Sequence, residues 1–428
     1  MDSSPSATAA LRGRRARRAA AGPRTVEVDV LVVGAGQAGL STAYHLQRTG
    51  LVAVGSRGWE GAAGTFVVLD DNPHAGGAWQ HRWRSLTLAD AHAVHDLPGM
   101  PLVVVDPTEP AADAVPYYFA QYEEAYGLNV QRPVRVQRVE RAPDGGPEPR
   151  YLVTTRHAEH PDEVVVWAAR AVVTASGTWQ RPFWPSYPGR ASFRGRQLHT
   201  HDYRDARDLA DGHVVVVGGG TSAVQLLLQL AEVTTTTWVT RRPPRWLDAA
   251  FTPELGREAV SRVDERTRAG LPPRSVVSVT GLPLTPAYRA GIAAGVLRAR
   301  RVFDRIEPDG VAWDPGAPVL DGLEADTDLP ADLPPDLPGV AADVGGWVDG
   351  PPFVPARTIL WATGFRATLD HLAPLGLRAP GGGIRMDGTE VVGEPRLQLV
   401  GYGPSASTVG ANRAGREAVR RLRRTLGW

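Results

Sequence analysis

Two glycine-rich turns carry the clearest chemistry in this sequence. Residues 34–39 read Gly-Ala-Gly-Gln-Ala-Gly, directly after the mainly apolar run 28–33 and before a helical spacing of apolar residues. In such a turn the first glycine allows a sharp bend and the second lets the backbone approach a pyrophosphate. The third lets the helix pack against the strand, and the free N–H groups at the helix N-terminus favour a phosphate. The pattern predicts a dinucleotide site that contains Gly34, Gly36, Gln37, Ala38 and Gly39.

An acidic residue at the end of the next strand would complete this first site by binding ribose hydroxyls. Residues 66–69 have the pattern of that strand, and Asp70 and Asp71 follow it. We favour Asp70, with Asp71 as the alternative and a solvated strand end as the non-functional interpretation. The spacing from the glycines is longer than usual, which indicates an inserted loop at residues 55–64.

A second glycine turn at residues 218–223 follows the apolar run 214–217 and opens another helical pattern. Alanine at its third position is an accepted variation. The strand after it ends in two arginines rather than an acid, and a guanidinium can bind a 2′-phosphate through two parallel hydrogen bonds. We therefore expect this site to bind NADPH through Gly218, Gly220, Thr221, Ser222, Ala223, Arg241 and Arg242. The alternative is that the two arginines are surface charges.

The two sites together predict the fold class and the chemistry. Continuous branched apolar runs are typical of parallel strands covered by helices on both faces, so we expect an α/β protein with two Rossmann-like dinucleotide-binding domains. An acid-tipped first site suits FAD and a basic second site suits NADPH. Such a pair implies hydride transfer from nicotinamide to flavin, with the flavin carrying the difficult chemistry.

Composition excludes several other functions. The 428 residues suffice for two or three domains, and the sequence has no cysteine and no lysine. Thiolate nucleophiles, dithiol redox centres, zinc–cysteine sites and Schiff-base chemistry are therefore excluded. The net charge of +1 gives no field that would attract nucleic acid, and no apolar run is long enough for a membrane span. We expect a cytoplasmic enzyme with a small-molecule substrate and no metal site; the oligomeric state stays open.

Two segments of the chain carry opposite charge. Residues 1–26 are rich in arginine and form a predicted disordered tail, for which a targeting or anionic docking role is the functional alternative. Residues 320–350 carry eight acidic side chains and no basic one, and we interpret them as a surface insertion.

With these two sites, the sequence resembles the class B flavoprotein monooxygenases. This group contains the flavin-containing N- and S-monooxygenases, the YUCCA-type enzymes and the Baeyer–Villiger enzymes. Residues 193–203 fit the signature FxGxxxHxxxY of that group, immediately before the second glycine turn. Residues 76–79 resemble its GGxW motif, and residues 361–365 resemble its late ATG-type linker. Residues 174–177 resemble the earlier linker with serine interrupting the pattern, and no asparagine follows the GGxW motif, where many N- and S-oxygenating members have one.

The resemblance implies a discontinuous FAD domain at residues 27–190 and 351–428, with an NADPH domain inserted at 191–350. It adds further expected FAD contacts, which are Gly77, Trp79, Val136, Thr408 and Val409. His199 would be a structural or NADP-contacting residue. The implied reaction is FAD- and NADPH-dependent oxygenation of a small nitrogen, sulfur or carbonyl compound by molecular oxygen through a C4a-(hydro)peroxyflavin.

Two other functions stay open. An NADPH-dependent oxidase or reductase would keep both cofactors without oxygenation, and a non-catalytic flavoprotein would report redox state to a partner. Asp90, His92 and His95 lie close together in sequence and could supply acid–base groups or metal ligands, although we favour a surface cluster.

Overall fold

The structure is a computed structural model that describes residues 24–91, 94–143, 150–248, 253–273, 281–314 and 346–428. Its strands are β1 (Arg24–Val33), β2 (Val52–Ala53), β3 (Thr65–Leu69), β4 (Val134–Arg141), β5 (Tyr151–His157), β6 (Val164–Thr174), β7 (Arg196–His199), β8 (Val214–Val217), β9 (Thr236–Thr240), β10 (Trp246–Leu247), β11 (Leu282–Pro283), β12 (Ala299–Arg301), β13 (Arg305–Glu307), β14 (Gly310–Ala312), β15 (Phe353–Pro355), β16 (Thr358–Trp361), β17 (Met386–Asp387), β18 (Glu390–Val391) and β19 (Glu394–Leu399). Its α-helices are α1 (Gln37–Arg48), α2 (Ala111–Tyr126), α3 (Thr221–Ala231), α4 (Pro253–Arg268), α5 (Pro286–Ala293) and α6 (Thr408–Leu426).

The first sheet is built around β1 and has the order β17-β18-β19-β6-β1-β3-β2, with the antiparallel pair β4–β5 attached to β6. Its central strands β19, β6, β1 and β3 are parallel. The register of β1 against β3 ends with Val33 opposite Leu69. The turn after β1 and the acid after β3 therefore meet at one edge of the sheet.

The second sheet is parallel throughout, in the order β12-β9-β8-β16-β7. In both sheets the central strands are buried on both faces, because separate apolar clusters cover each side. A parallel sheet needs this cover because its strands are apolar throughout. The expected α/β class with two parallel-sheet units is confirmed.

The chain leaves the second sheet later than the sequence suggested. We placed residues 351–428 in the first unit, but β16 lies between β7 and β8 in the second sheet, and β15 pairs with β14. The return to the first unit therefore comes after Trp361. The run Ile359–Trp361 is fully buried, so it has the composition of a central strand.

The two charged segments lie mostly outside the described residues. Residues 24–26, which we placed in the arginine-rich tail, begin β1. Of the acidic stretch, residues 346–350 are described. Trp347 packs against the apolar cluster that covers one face of the second sheet. Its indole N–H donates to Thr240 Oγ1 at 2.9 Å, so the end of this stretch is fixed to the C-terminal end of β9.

Candidate functional site

The first glycine turn is held in place by packing at two of its three glycines. Gly34 has a φ of +96°, its N–H donates to the Leu69 carbonyl at 2.7 Å, and a Cβ there would lie 2.5 Å from the Ala175 carbonyl oxygen. A Cβ at Gly39 would overlap the Gly34 carbonyl oxygen. Gly36 differs, because a Cβ there would have no protein atom within 4 Å. Its open face is the one that a phosphate could approach.

A cavity of about 350 Å³ opens on that face, within the size range of ligand sites. The predicted residues that line it are Gly34, Gly36, Gln37, Ala38, Asp70, Gly77, Trp79 and Val136. Two helices begin at it: α1 after Gly36, and α6 after Ser407, whose hydroxyl accepts the Gly410 N–H at 3.0 Å. Thr408 and Val409 are the first residues of α6, and Gly39 lies in the first turn of α1. Two helix N-termini at one cavity favour an anionic group such as a pyrophosphate.

Asp70 lies at the end of β3, where the sequence placed it, and is almost fully buried. Its Oδ2 accepts the Ala35 N–H at 3.0 Å, and its Oδ1 accepts the Asn72 N–H at 2.9 Å. The carboxylate therefore fixes the glycine turn directly. Asp71 also lines the cavity, but its ion pair is with Arg135 at 3.6 Å. Burial and the neighbouring Asp70 raise the pKa of Asp71.

The GGxW segment lies against the glycine turn. Gly76 and Gly77 have φ values of +119° and +52°, and a Cβ at Gly77 would lie 2.9 Å from Gly36 Cα. The chain then forms a short 3₁₀ helix, Gly77–His81, that carries Trp79 on the cavity wall. Close backbone approach thus explains the paired glycines.

Val136 reaches the cavity through β4. The Val134 N–H donates to the Asp70 carbonyl at 2.7 Å, which fixes β4 beside the acid. Val134 also pairs with His157 across the β4–β5 hairpin.

The second glycine turn repeats the geometry of the first. Gly218 has a φ of +144°, and a Cβ there would overlap the Ala362 carbonyl oxygen, as one at Gly34 would approach Ala175. The Gly218 carbonyl accepts the Trp238 indole N–H at 2.6 Å. A Cβ at Gly220 would again face open space. In each unit, a later linker packs against the first glycine of the turn, at Ala175 in the first unit and Ala362 in the second. A later glycine of each turn, Gly36 or Gly220, keeps an open face.

The other predicted residues of the second site lie around this turn. Thr221, Ser222 and Ala223 begin α3, and Ala223 is fully buried. Arg241 and Arg242 follow β9 directly and are exposed. Their position at the carboxyl end of a strand beside β8 is the place where a ligand's ribose is bound in this kind of fold.

His199 is a structural residue in this arrangement. It is fully buried, its Nε2 contacts the Gly364 carbonyl at 3.1 Å, and its Nδ1 accepts the His201 N–H at 3.0 Å. These partners place the proton on Nε2. Burial lowers the pKa of His199 to about 4, so the ring is neutral at physiological pH. It ties the end of β7 to the linker that returns to the first unit.

The other members of the FxGxxxHxxxY pattern are also explained by packing. A Cβ at Gly195 would lie 2.5 Å from the Phe193 ring. Tyr203 is buried edge-on against Trp83, with ring centroids 5.9 Å apart. The signature therefore connects the second sheet to the segment that follows the GGxW motif.

Several cavity residues were missed by sequence reasoning because they come from distant segments. They are Thr368, His371, Ser405 and Ala406. Burial lowers the pKa of His371 to about 4. Two buried oxygens at the cavity, Gln37 Oε1 and Thr368 Oγ1, have no hydrogen-bond partner among the described residues. Unpaired buried acceptors and donors are what a polar ligand would satisfy, so the residues present fit a dinucleotide.

The Asp90–His95 segment does not form a site within the described residues. His92 lies outside them, and Asp90 and His95 are exposed. Asp90 Oδ2 accepts the Thr87 hydroxyl at 2.8 Å. We expected no metal site; within the described ranges, His157, Glu159 and His160 bring possible ligand atoms within 4.8 Å of one another. They lie at the end of β5 and in the turn that follows it, where the sequence His-Ala-Glu-His was the available signal.

Comparisons with known proteins agree with this geometry. Residues 31–256 match the family described as pyridine nucleotide-disulphide oxidoreductase. The fold is similar to a double mutant of the flavin monooxygenase from Stenotrophomonas maltophilia, at 31% identity, with a TM-score of 0.69 and coverage of 94% of this chain and 99% of that one.

Curated relatives match over shorter stretches. The uncharacterized oxidoreductase CzcO of Bacillus velezensis is 28% identical over 204 residues, 48% of this chain and 52% of that protein. Senecionine N-oxygenase of Tyria jacobaeae is 26% identical over 227 residues, 48% of this chain and 45% of that protein. The chain thus spans about half the length of the curated relatives that it matches.

The structure has two parallel-sheet units, each with a dinucleotide-type glycine turn against which a later linker packs. This arrangement defines a two-domain flavoprotein oxidoreductase fold. The chain belongs to the pyridine nucleotide-disulphide oxidoreductase family and, within it, to the class B flavoprotein monooxygenases. This confirms the resemblance seen in the sequence. The chain has no cysteine, so it cannot carry the disulphide chemistry in the family's description. No helix among the described residues is long and apolar enough to cross a membrane.

Proposed function

We propose that the protein is an FAD- and NADPH-dependent monooxygenase of a small nitrogen, sulfur or carbonyl compound. One observation carries the proposal: the cavity of the first unit reaches the linkers of the second. Trp179 on the cavity wall stacks on Phe365 at 5.0 Å between ring centroids and lies 4.9 Å from His201. A flavin in the cavity and a nicotinamide from the second turn would therefore meet at one junction, as hydride transfer requires.

The first unit would hold FAD. The backbone N–H groups around Gly36, Gln37 and Ala38 would bind the pyrophosphate, and Asp70 the ribose. Val136 would contact the adenine. Gly77 and Trp79 would lie beside the ring system, with the N-terminus of α6 at Thr408 and Val409.

The second unit would hold NADPH. Gly218, Gly220 and the first turn of α3, from Thr221 to Ala223, would bind its pyrophosphate. Arg241 and Arg242 would bind the 2′-phosphate. Two of the similar proteins, senecionine N-oxygenase and the Stenotrophomonas flavin monooxygenase, are named as oxygenating enzymes. Their similarity to this chain supports oxygenation as its reaction.

Bound FAD would supply the redox chemistry: with two electrons from NADPH, one atom of dioxygen would enter the substrate and the other would leave as water. The chain contributes position and shielding. The indoles of Trp79 and Trp179 on the cavity wall would cover the junction from water, which would suppress wasteful release of peroxide. His199 keeps the second linker in place and is no general base, because both ring nitrogens already have protein partners.

The test is steady-state turnover of the purified holoprotein with NADPH and a panel of thioether, tertiary-amine and ketone probes. With an accepted probe, we expect oxygenated product to form and the peroxide released to fall below the NADPH consumed. Peroxide equal to NADPH with every probe would identify an oxidase, for which the absence of an asparagine after the GGxW motif is the supporting observation. Negligible NADPH consumption would instead favour the redox-reporting alternative.

A further inference from the structure

Arg82 lies in an aromatic cage beside the cavity. Its guanidinium carbon is 4.8 Å from the ring centroid of Trp179, 5.9 Å from that of Trp83 and 6.0 Å from that of Trp79. Such distances are those of cation–π contacts. Arg82 follows Trp79 by three residues and directly precedes Trp83, so one short segment supplies two of the three rings and a distant linker supplies the third.

The guanidinium of Arg82 has no hydrogen-bond acceptor and no carboxylate partner among the described residues. Burial lowers its pKa to about 10, so the guanidinium stays cationic at neutral pH. Arg84, two residues further on, is different, because its guanidinium binds the Asp113 carboxylate at 3.0 Å and 2.5 Å. Indole faces can balance the charge of a guanidinium, but they accept no hydrogen bond from its N–H edge, which stays available to water or to a ligand.

Two histidines, His81 and His201, contact the Trp179 ring of the cage. His81 lies stacked on Trp179 with ring centroids 5.9 Å apart. Burial, His201 and Arg204 lower the pKa of His81, against an opposing effect of Asp70. The nearby acid Asp202 contacts His201 Nδ1 at 2.6 Å and is therefore already engaged.

We propose that Arg82 binds the carboxylate of an aryl or hydrophobic carboxylic acid substrate at the junction. This inference rests on the proposed function, whose substrate class it narrows. A guanidinium binds a carboxylate through two parallel hydrogen bonds, and the partly exposed indole of Trp79 on the cavity wall offers apolar surface to the rest of the molecule. A phosphate of the nicotinamide dinucleotide is the other anion that could use the same edge, and the test separates the two.

The test is calorimetric titration of the purified holoprotein with phenylacetate and with its neutral analogue phenylacetamide. We expect the protein to bind phenylacetate at least about 10-fold more tightly than the amide, the scale of one charge-assisted hydrogen bond. Arg82→Gln should abolish this preference, and the matched control Arg84→Gln should keep it. Equal affinity for the two probes in the unmodified protein would overturn the proposal without any variant.

A second titration, with NADP⁺, identifies the source of the anion. We expect Arg82→Gln to leave NADP⁺ affinity within about 2-fold of the unmodified protein. A loss of NADP⁺ affinity with phenylacetate binding unchanged would assign Arg82 to the dinucleotide and overturn the proposal. Heat of binding requires no turnover, so a protein that binds phenylacetate through Arg82 but oxygenates nothing would refute the proposed function alone.

Discussion

Gly36→Ala should separate cofactor binding from folding in the first unit. Gly36 has φ −81° and ψ −169°, which alanine adopts freely, and a Cβ there would have no protein atom within 4 Å. The substitution should leave the stability of the FAD-free protein unchanged or raise it by up to about 1 kcal/mol, because alanine restricts the unfolded chain. The new methyl group would occupy the face that the pyrophosphate approaches.

The expected loss of affinity follows from the bonds at that face. Displacing the pyrophosphate from one backbone N–H removes a hydrogen bond to a charged group, about 1.5–3 kcal/mol. FAD should therefore bind about 10- to 150-fold more weakly, and the larger Gly36→Val should yield a colourless protein. The assay is titration of FAD-free protein with FAD, followed by flavin fluorescence, together with urea unfolding.

Gly39→Ala is the matched control, because a Cβ there would overlap the Gly34 carbonyl oxygen. It should destabilise the FAD-free protein by about 1–3 kcal/mol through overpacking. If Gly36→Ala binds FAD as tightly as the unmodified protein, the assignment of the first site is refuted. If Gly36→Ala destabilises the FAD-free protein as much as Gly39→Ala does, the inference that Gly36 serves cofactor binding rather than folding is refuted.

Three further predictions concern the second unit. Replacing both Arg241 and Arg242 by alanine should weaken NADPH binding by about 1–3 kcal/mol and leave NADH binding unchanged in equilibrium titrations; unchanged NADPH affinity would make them surface charges. His199 has a pKa of about 4 in the folded protein, below the unfolded value, so its contribution to stability is present at neutral pH and is lost as pH falls from about 6.5 toward 4, by about 2 kcal/mol at pH 5. His199→Gln should therefore flatten the urea-unfolding stability profile between pH 7 and 5, and an identical profile would contradict the neutral buried ring. Trp347→Ala should lower the unfolding free energy by about 2 kcal/mol, because a half-buried indole and its bond to Thr240 are lost; unchanged stability would show that this contact does not stabilise the second unit.

Local patterns predicted the two glycine turns and the acid after β3 because each depends on contiguous residues. A turn that binds a pyrophosphate needs its glycines, its strand and its helix within about fifteen residues of chain. The overlaps at Gly34 and Gly39 show why those positions admit no side chain. Gly77 and Trp79 were expected only through the resemblance of their segment to the GGxW motif, and that segment packs directly on Gly36.

Contacts between distant segments could not be read in this way. The partner of His199 is the carbonyl of Gly364, 165 residues later, and Thr368 and His371 reach the cavity only after the chain has crossed back. The return point was misplaced because the run 353–361 pairs with strands that precede it by more than 40 residues. The cage around Arg82 likewise depends on Trp179, which a different linker supplies.

The most direct test of the proposed oxygenation is rapid mixing of the NADPH-reduced holoprotein with oxygenated buffer, without substrate, while flavin absorbance is followed. We expect a long-lived near-ultraviolet absorbance intermediate before oxidised flavin returns, since the covered junction should slow the loss of peroxide. Direct return to oxidised flavin with stoichiometric peroxide would contradict it and identify an oxidase.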